Sequence, residues 1–156
     1  LSLRPLDSMG SVGEKCRNRK KYIMAQRANE TASLHDRVVR EIKNSLNQQD
    51  FDIYINPGSE KNAGIAGNYP DVIMTGKGEK TAKFILEVET LDSITKDEAE
   101  VQWKKYATEI KATFYLVVPE VSINKATQLC QQVGINTRFV TYTVNPFDDK
   151  IFFKFN

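Results

Sequence analysis

The sequence predicts an α/β fold with a mixed central sheet flanked by helices, and three observations carry that reading. A helical stripe opens the ordered body, a hairpin with alternating faces follows, and two apolar strands then alternate with two amphipathic helices. The expected order is helix, three strands, helix, strand, helix, strand, or αβββαβαβ. Its second half, strand-helix-strand-helix-strand, demands parallel neighbours joined by right-handed crossovers, whereas the hairpin before it is antiparallel. The sheet is therefore mixed.

The first element begins at Thr31. Ser33 with Asp36 fits a capping box, and Leu34, Val38, Ile42 and Leu46 recur every four residues on one helical stripe. Glu41 sits three residues after Val38, on or beside that stripe, where an acid is uncommon without a partner. His35, the single histidine, lies one residue off the stripe. Phe51 to Ile55 alternates Phe, Ile, Ile against Asp and Tyr as a first strand, closed by Pro57-Gly58. The polar segment Ser59 to Tyr69 holds Ala63, Gly64 and Gly67 and leads straight into Asp71. It reads as a loop over whatever site Asp71 belongs to.

Tyr69 to Thr90 reads as the hairpin. Asp71 follows Pro70 and opens Val72-Ile73-Met74; a turn around Gly76-Lys77-Gly78 returns the chain through Phe84-Ile85-Leu86 to Glu87-Val88-Glu89. Strand side chains alternate faces, so Glu87 and Glu89 share one and Phe84, Leu86 and Val88 the other. The hairpin also brings the start of its first strand beside the end of its second, and Asp71 arrives near both glutamates. Three carboxylates held that close repel one another unless a cation neutralises them, and oxygen-only chemistry suggests Mg²⁺ or Mn²⁺. A solvated face of an edge strand is the plainer reading of the same pair.

Thr95 and Glu98 open a helix to about Lys111 whose inward face is Ala99, Gln102, Trp103, Tyr106 and Ile110. Gln102 is the polar member of that face; Lys104 and Lys105 point elsewhere. Thr113 to Val118 is a continuous apolar strand, as in one buried on both faces. Ser122 caps a helix through Val133, Gly134 stops it, and Arg138 to Val144 is another strand. The tail with Ile151, Phe152, Phe153 and Phe155 is apolar enough to add an edge strand, dock on the core or meet a partner subunit in a homodimer.

Composition, 40% apolar and 27% charged over 156 residues, is that of one domain with a single core. No apolar run approaches the roughly 18 residues of a membrane span, so no membrane partner is expected. Two cysteines make neither a disulfide framework nor a metal-ligand spacing, which points to a reducing, cytoplasmic compartment. Residues 1–30 carry seven Lys or Arg against three acids, while the rest holds 15 basic and 17 acidic residues. The excess basicity is thus N-terminal, and residues 1–30 read as a largely extended or disordered basic arm, or as expression-derived sequence, ahead of a single domain over 31–156.

Pro70-Asp71, fifteen intervening residues and Glu87-Val88-Glu89 resemble the PD-(D/E)XK nuclease superfamily, which includes restriction endonucleases and Holliday-junction resolvases. The αβββαβαβ order is also that of the superfamily's core, so the resemblance implies a restriction endonuclease-like fold over roughly residues 31–145. It further implies a Mg²⁺- or Mn²⁺-dependent deoxyribonuclease with DNA as partner. Asp71 and Glu87 would hold the ion, Glu41 on the first helix would help through water, Gln102 would stand near the site, and Glu89 would orient or deprotonate the attacking water. Glu89 occupies the place where the family carries lysine. Lying at a strand end on the polar face, it is expected to tolerate lysine without loss of the fold. The departure leaves a second reading, a catalytically inactive nuclease-fold module that binds nucleic acid or a protein partner. A third, an α/β enzyme on a small phosphorylated substrate, finds no glycine-rich phosphate loop.

Overall fold

Six strands form one mixed sheet in sequential order, with one helix on one face and two on the other. The computed structural model describes residues 12–156. Helix α1 is Val12–Ser45, followed by β1 (Phe51–Ile55), β2 (Val72–Gly76) and β3 (Ala82–Val88). Helix α2 covers residues 96–109, with α-helical turns Lys96–Glu98 and Lys104–Glu109 on either side of a π turn, Ala99–Trp103. Strand β4 (Thr113–Pro119), a 3₁₀ turn, helix α3 (Ile123–Val133), β5 (Arg138–Val144) and β6 (Ile151–Phe155) complete the chain. Pairing is antiparallel from β1 to β3, parallel from β3 to β5 and antiparallel again at β6.

Alternation on the strands builds two cores. Val72, Met74, Leu86, Val88, Val117 and Val140 face Val38, Val39 and Ile42 of α1. Ile73, Ile85, Leu116 and Val118 face Trp103 and Tyr106 of α2, Ile110 just past its end, and Ala126 and Leu129 of α3. Each such aliphatic side chain, once fully buried, contributes about 1.5–3 kcal/mol. Gly134 ends α3 in the left-handed region (φ 73), and burial pushes the Cys130 thiol up to about 11, which keeps it a protonated, inert core residue.

Two expectations change. Helix α1 does not begin at a Ser33–Asp36 box but runs unbroken from Val12, so residues 12–30, expected to be extended or disordered, are its first half. Strong helix formers (Glu14, Lys15, Arg17, Arg19, Lys20, Lys21, Met24, Ala25, Gln26, Arg27) outweigh the missing apolar period there. The part of that expectation on residues 1–11 lies outside the described residues. The C-terminal tail takes the first of its three options, an edge strand, and the order becomes αβββαβαββ. Among the described residues no helix is long and apolar enough to cross a membrane.

Candidate functional site

Asp71 stands between Pro70 and the first residue of β2, and the pairing of Val72 with Leu86 sets it across from Glu87. The Asp71 amide donates to Glu87 Oε2 (3.2 Å), and the Val88 amide donates to Asp71 Oδ2 (2.8 Å). Glu87 and Glu89 point to the α2 side, the face shared with Ile73 and Ile85, as alternation requires. All three acids are deeply buried, at 6%, 5% and 3% exposure for Asp71, Glu87 and Glu89.

The π turn of α2 meets this pair of acids. A π turn carries one residue more than an α turn, and here two neighbours, Gln102 and Trp103, both reach β3. Gln102 Nε2 donates to Glu87 Oε1 (2.7 Å), and Trp103 Nε1 donates to Glu89 Oε1 (2.6 Å). Ser93 Oγ donates to the other oxygen of Glu89, and the Tyr142 hydroxyl donates to the Glu89 carbonyl (2.8 Å). Glu89 is thereby enclosed in the core.

Glu87 instead opens on a cavity of about 280 Å³, which it lines with Asp71, His35, Gln102 and Asn56. Gly58, Ser59, Glu60, Lys61 and Tyr69 form its outer wall, so the 59–69 loop does lie over Asp71 and Glu87. Asn56, fully enclosed, clamps that loop: its Nδ2 donates to the carbonyls of Ala63 and Pro70, and its Oδ1 accepts from the amides of Asn62 and Ala63. Lys61 Nζ lies 5.0 Å from the centre of the Tyr69 ring, a cation over an aromatic face at the cavity wall.

His35 bridges two acids, with Nε2 3.1 Å from Asp71 Oδ2 and Nδ1 3.1 Å from Asp36 Oδ1. Burial opposes its charge, but the hydrogen bonds and charges of Asp71 and Asp36 outweigh burial and raise its pKa to about 9. The imidazolium is the local counter-charge of Asp71. Burial, then the charges of Asp71 and Glu89, push Glu87 well above the usual carboxylate range. Burial raises Glu89 to about 7 against the lowering effect of Ser93 and Trp103. Glu98, half-buried in the first turn of α2, is also raised, first by burial and then by the charge of Asp71. A fourth carboxylate therefore feels the same field.

Of the residues singled out in the sequence, Asp71, Glu87 and Gln102 come together at the cavity. Glu89 joins them on the strand face but not in the cavity. Glu41 does not join at all: it is exposed on α1 and accepts from Asn44 Nδ2 (2.9 Å). The buried stripe includes Val39 as well as Val38 and Ile42, which turns its centre by roughly 30°, at 100° per residue. That rotation leaves Glu41 about 110° away and puts His35 within about 10° of the centre, one turn before Val39. The adjacent Val38-Val39 pair was the signal for His35. Asn56 and Glu98 had no comparable signal, since each depends on where a loop or a helix start comes to rest.

Among the described residues no group of three His, Cys, Asp or Glu side chains is arranged to hold one metal ion. With Glu89 enclosed by Trp103 and Ser93 and absent from the cavity that Asp71 and Glu87 line, a three-carboxylate set does not fit. A two-carboxylate set does: both hydrogen bonds to Asp71 end on Oδ2, Glu87 carries an unrelieved like-charge penalty at the cavity, and Mg²⁺ is commonly held by one or two carboxylates with water and phosphate oxygens. No family model matches the chain, and neither a curated protein nor a solved structure matches it significantly.

Proposed function

We propose that the chain is a divalent-metal-dependent phosphodiesterase acting on DNA, with a restriction endonuclease-like fold of the PD-(D/E)XK kind. The observation that carries this reading is the Asp71–Glu87 pair, on neighbouring strands at the floor of a cavity, with Glu87 held under like-charge strain that a cation would relieve. Three antiparallel strands, a helix and a parallel fourth strand, with the two acids at one end, support the fold part of it.

Asp71 and Glu87 would hold Mg²⁺ or Mn²⁺, which when bound polarises a phosphodiester and acidifies a water. Gln102 fixes the Glu87 carboxylate through its 2.7 Å hydrogen bond, and His35 fixes Asp71 while its positive charge offsets that of the acid. Lys61 places a cation on the cavity wall, where a phosphate would meet it. Glu89, enclosed by Trp103 and Ser93, is a structural anchor in this reading and not the group that prepares the water.

The burial of Glu89 equally favours the second reading, a non-catalytic module on the same fold, because the position of the family lysine serves the core. Asp71→Asn and Glu87→Gln separate the two. We expect both to abolish Mn²⁺-dependent cleavage of plasmid or branched DNA and to lower Mn²⁺ affinity in calorimetric titration. Glu87→Gln should leave the melting temperature unchanged or raised because a strained charge is gone, whereas Asp71→Asn, which takes the counter-charge from His35, should lower it. Absence of saturable Mn²⁺ binding and of cleavage by the native chain would leave the binding-module reading, and cleavage that survives both substitutions would take the chemistry away from Asp71 and Glu87.

A further inference from the structure

The 56–69 loop has a second side. Its Ala63–Ala66 stretch, the Thr75 end of β2, the β2–β3 turn and the end of α2 enclose a cavity of about 560 Å³, within the size range of small-ligand sites. Ile65, Ile73 and Ile110 give it an apolar floor, and Tyr54, 43% exposed, stands at its edge. Lys80 and Lys111 are on its rim. Among the described residues neither makes an ion pair, whereas their neighbours Lys77 and Lys83 are paired with Asp52 and Glu79.

Thr75 makes this more than a hollow. It lines the cavity, is only 5% exposed, and its Oγ1 is buried without a hydrogen-bond partner among the described residues. A polar group buried in this way is rare and calls for an explanation. The β2–β3 register breaks at a bulge between Met74 and Thr75, a device that re-aims a side chain. Rotation about χ1 exchanges the hydroxyl and methyl of a threonine, so the hydroxyl can turn to a ligand without backbone movement.

We infer that this cavity binds a nucleotide: a heterocyclic base between Tyr54 and the apolar floor, its edge hydrogen-bonded to Thr75, and its phosphate on Lys80 and Lys111. A purely apolar ligand would leave the two lysines and the hydroxyl unused. A bare phosphate would leave the floor uncovered. The nucleotide is either a free mononucleotide or one residue of a strand that also crosses the acidic cavity on the other side of the loop. The strand form rests on the phosphodiesterase reading; the mononucleotide form does not.

Calorimetric titration of the full chain in the presence of a chelator, with AMP, dTMP, inorganic phosphate and a single-stranded hexanucleotide, tests this. The expected result is saturable binding of a mononucleotide or of the hexanucleotide, much tighter than of inorganic phosphate. Mononucleotide binding identifies a free nucleotide as ligand, and hexanucleotide binding alone identifies a strand. Thr75→Val should weaken binding by about tenfold, the worth of one buried hydrogen bond, while raising the melting temperature because it removes an unpartnered hydroxyl. Lys80→Glu with Lys111→Glu, both exposed and safe for the fold, should weaken it further. Asp71→Asn should leave mononucleotide binding unchanged whether or not the chain cleaves DNA, so loss of nuclease activity and loss of this site are separate outcomes. No saturable binding, phosphate binding as tight as nucleotide, affinity indifferent to the Thr75 and lysine substitutions, or mononucleotide binding lost in Asp71→Asn would each overturn the proposal.

Discussion

Glu87 and Glu89 leave the same face of β3 two residues apart, yet one lines a cavity and the other is sealed in the core. Both are buried, both accept two hydrogen bonds, and both hold their protons more tightly than an ordinary glutamate. The difference is in what covers them. Over Glu87 the π turn offers an amide, and the 56–69 loop stands off to leave room. Over Glu89 it offers an indole, and Ser93 closes the remaining side. Alternation along a strand thus decides which face an acid takes, and the elements packed above decide whether that acid can meet a ligand.

The sharpest way to break this comparison is Glu89→Lys. A lysine there would place an ammonium against the Trp103 Nε1–H, a donor facing a donor, with no carboxylate left beside it on the enclosed side. A buried unpaired charge of this kind costs about 3–5 kcal/mol, a large share of the stability of a domain this size. We expect the variant to melt more than 10 °C below the native chain, or not cooperatively at all. Glu89→Gln keeps the shape and the acceptor for Trp103 and at pH 5, where Glu89 holds its proton, should stay within about 1 kcal/mol of native stability. Native-like melting of Glu89→Lys would mean that the position is as open as Glu87, the expectation that alternation alone suggests.

Next in size is the pH dependence of stability. Glu87, Glu89 and His35 all have folded pKa values above their unfolded ones, so each favours the folded state at low pH and loses that contribution as pH rises through its folded pKa. For Glu89 the loss runs from about 4.5 to about 7, and for His35 from 6.5 to about 9. Each shift corresponds to on the order of 3 kcal/mol. Denaturant unfolding in chelator should therefore give a stability that declines from pH 5 to pH 9. Glu89→Gln should flatten the lower arm and His35→Asn the upper one. A rise in stability across that window would remove the field attributed to the buried acids.

These two experiments also mark what the sequence could and could not disclose. Glu87, Glu89, Gln102 and Trp103 were assigned to their faces from period two and period 3.6 alone, because a strand and a helix obey those periods whatever surrounds them. The parallel half of the sheet followed from an apolar strand bounded by helices. The depth of Glu89 was not legible: it depends on a π turn, which α-helical phase does not anticipate. Neither was the bulge that carries Thr75, nor the Asn56 clamp, since both arise from a loop closing on itself. The first half of α1 was missed for the opposite reason, as intrinsic propensity made a helix where no hydrophobic period announced one.

The smallest expected effect concerns α1, where one residue changes the face assigned to its neighbours. Had Leu34, Val38, Ile42 and Leu46 alone set the buried stripe, Glu41 would have stood about 80° and His35 about 40° from its centre. With Val39 in the stripe His35 moves to its centre and Glu41 further out, where, among the described residues, its side chain hydrogen-bonds only Asn44 on its own helix. Losing one exposed side-chain contact within a helix changes stability by no more than about 0.5 kcal/mol, and alanine returns part of that as helix propensity. Glu41→Ala should thus leave the melting temperature, the Mn²⁺ affinity and any DNA cleavage at native values. His35→Asn, six residues earlier, should lower the first and alter the second, because it takes the counter-charge from Asp71. If Glu41→Ala instead weakened Mn²⁺ binding as much as Asp71→Asn does, α1 would have to present its other side to the sheet, and the contact between His35 and Asp71 would be lost with it.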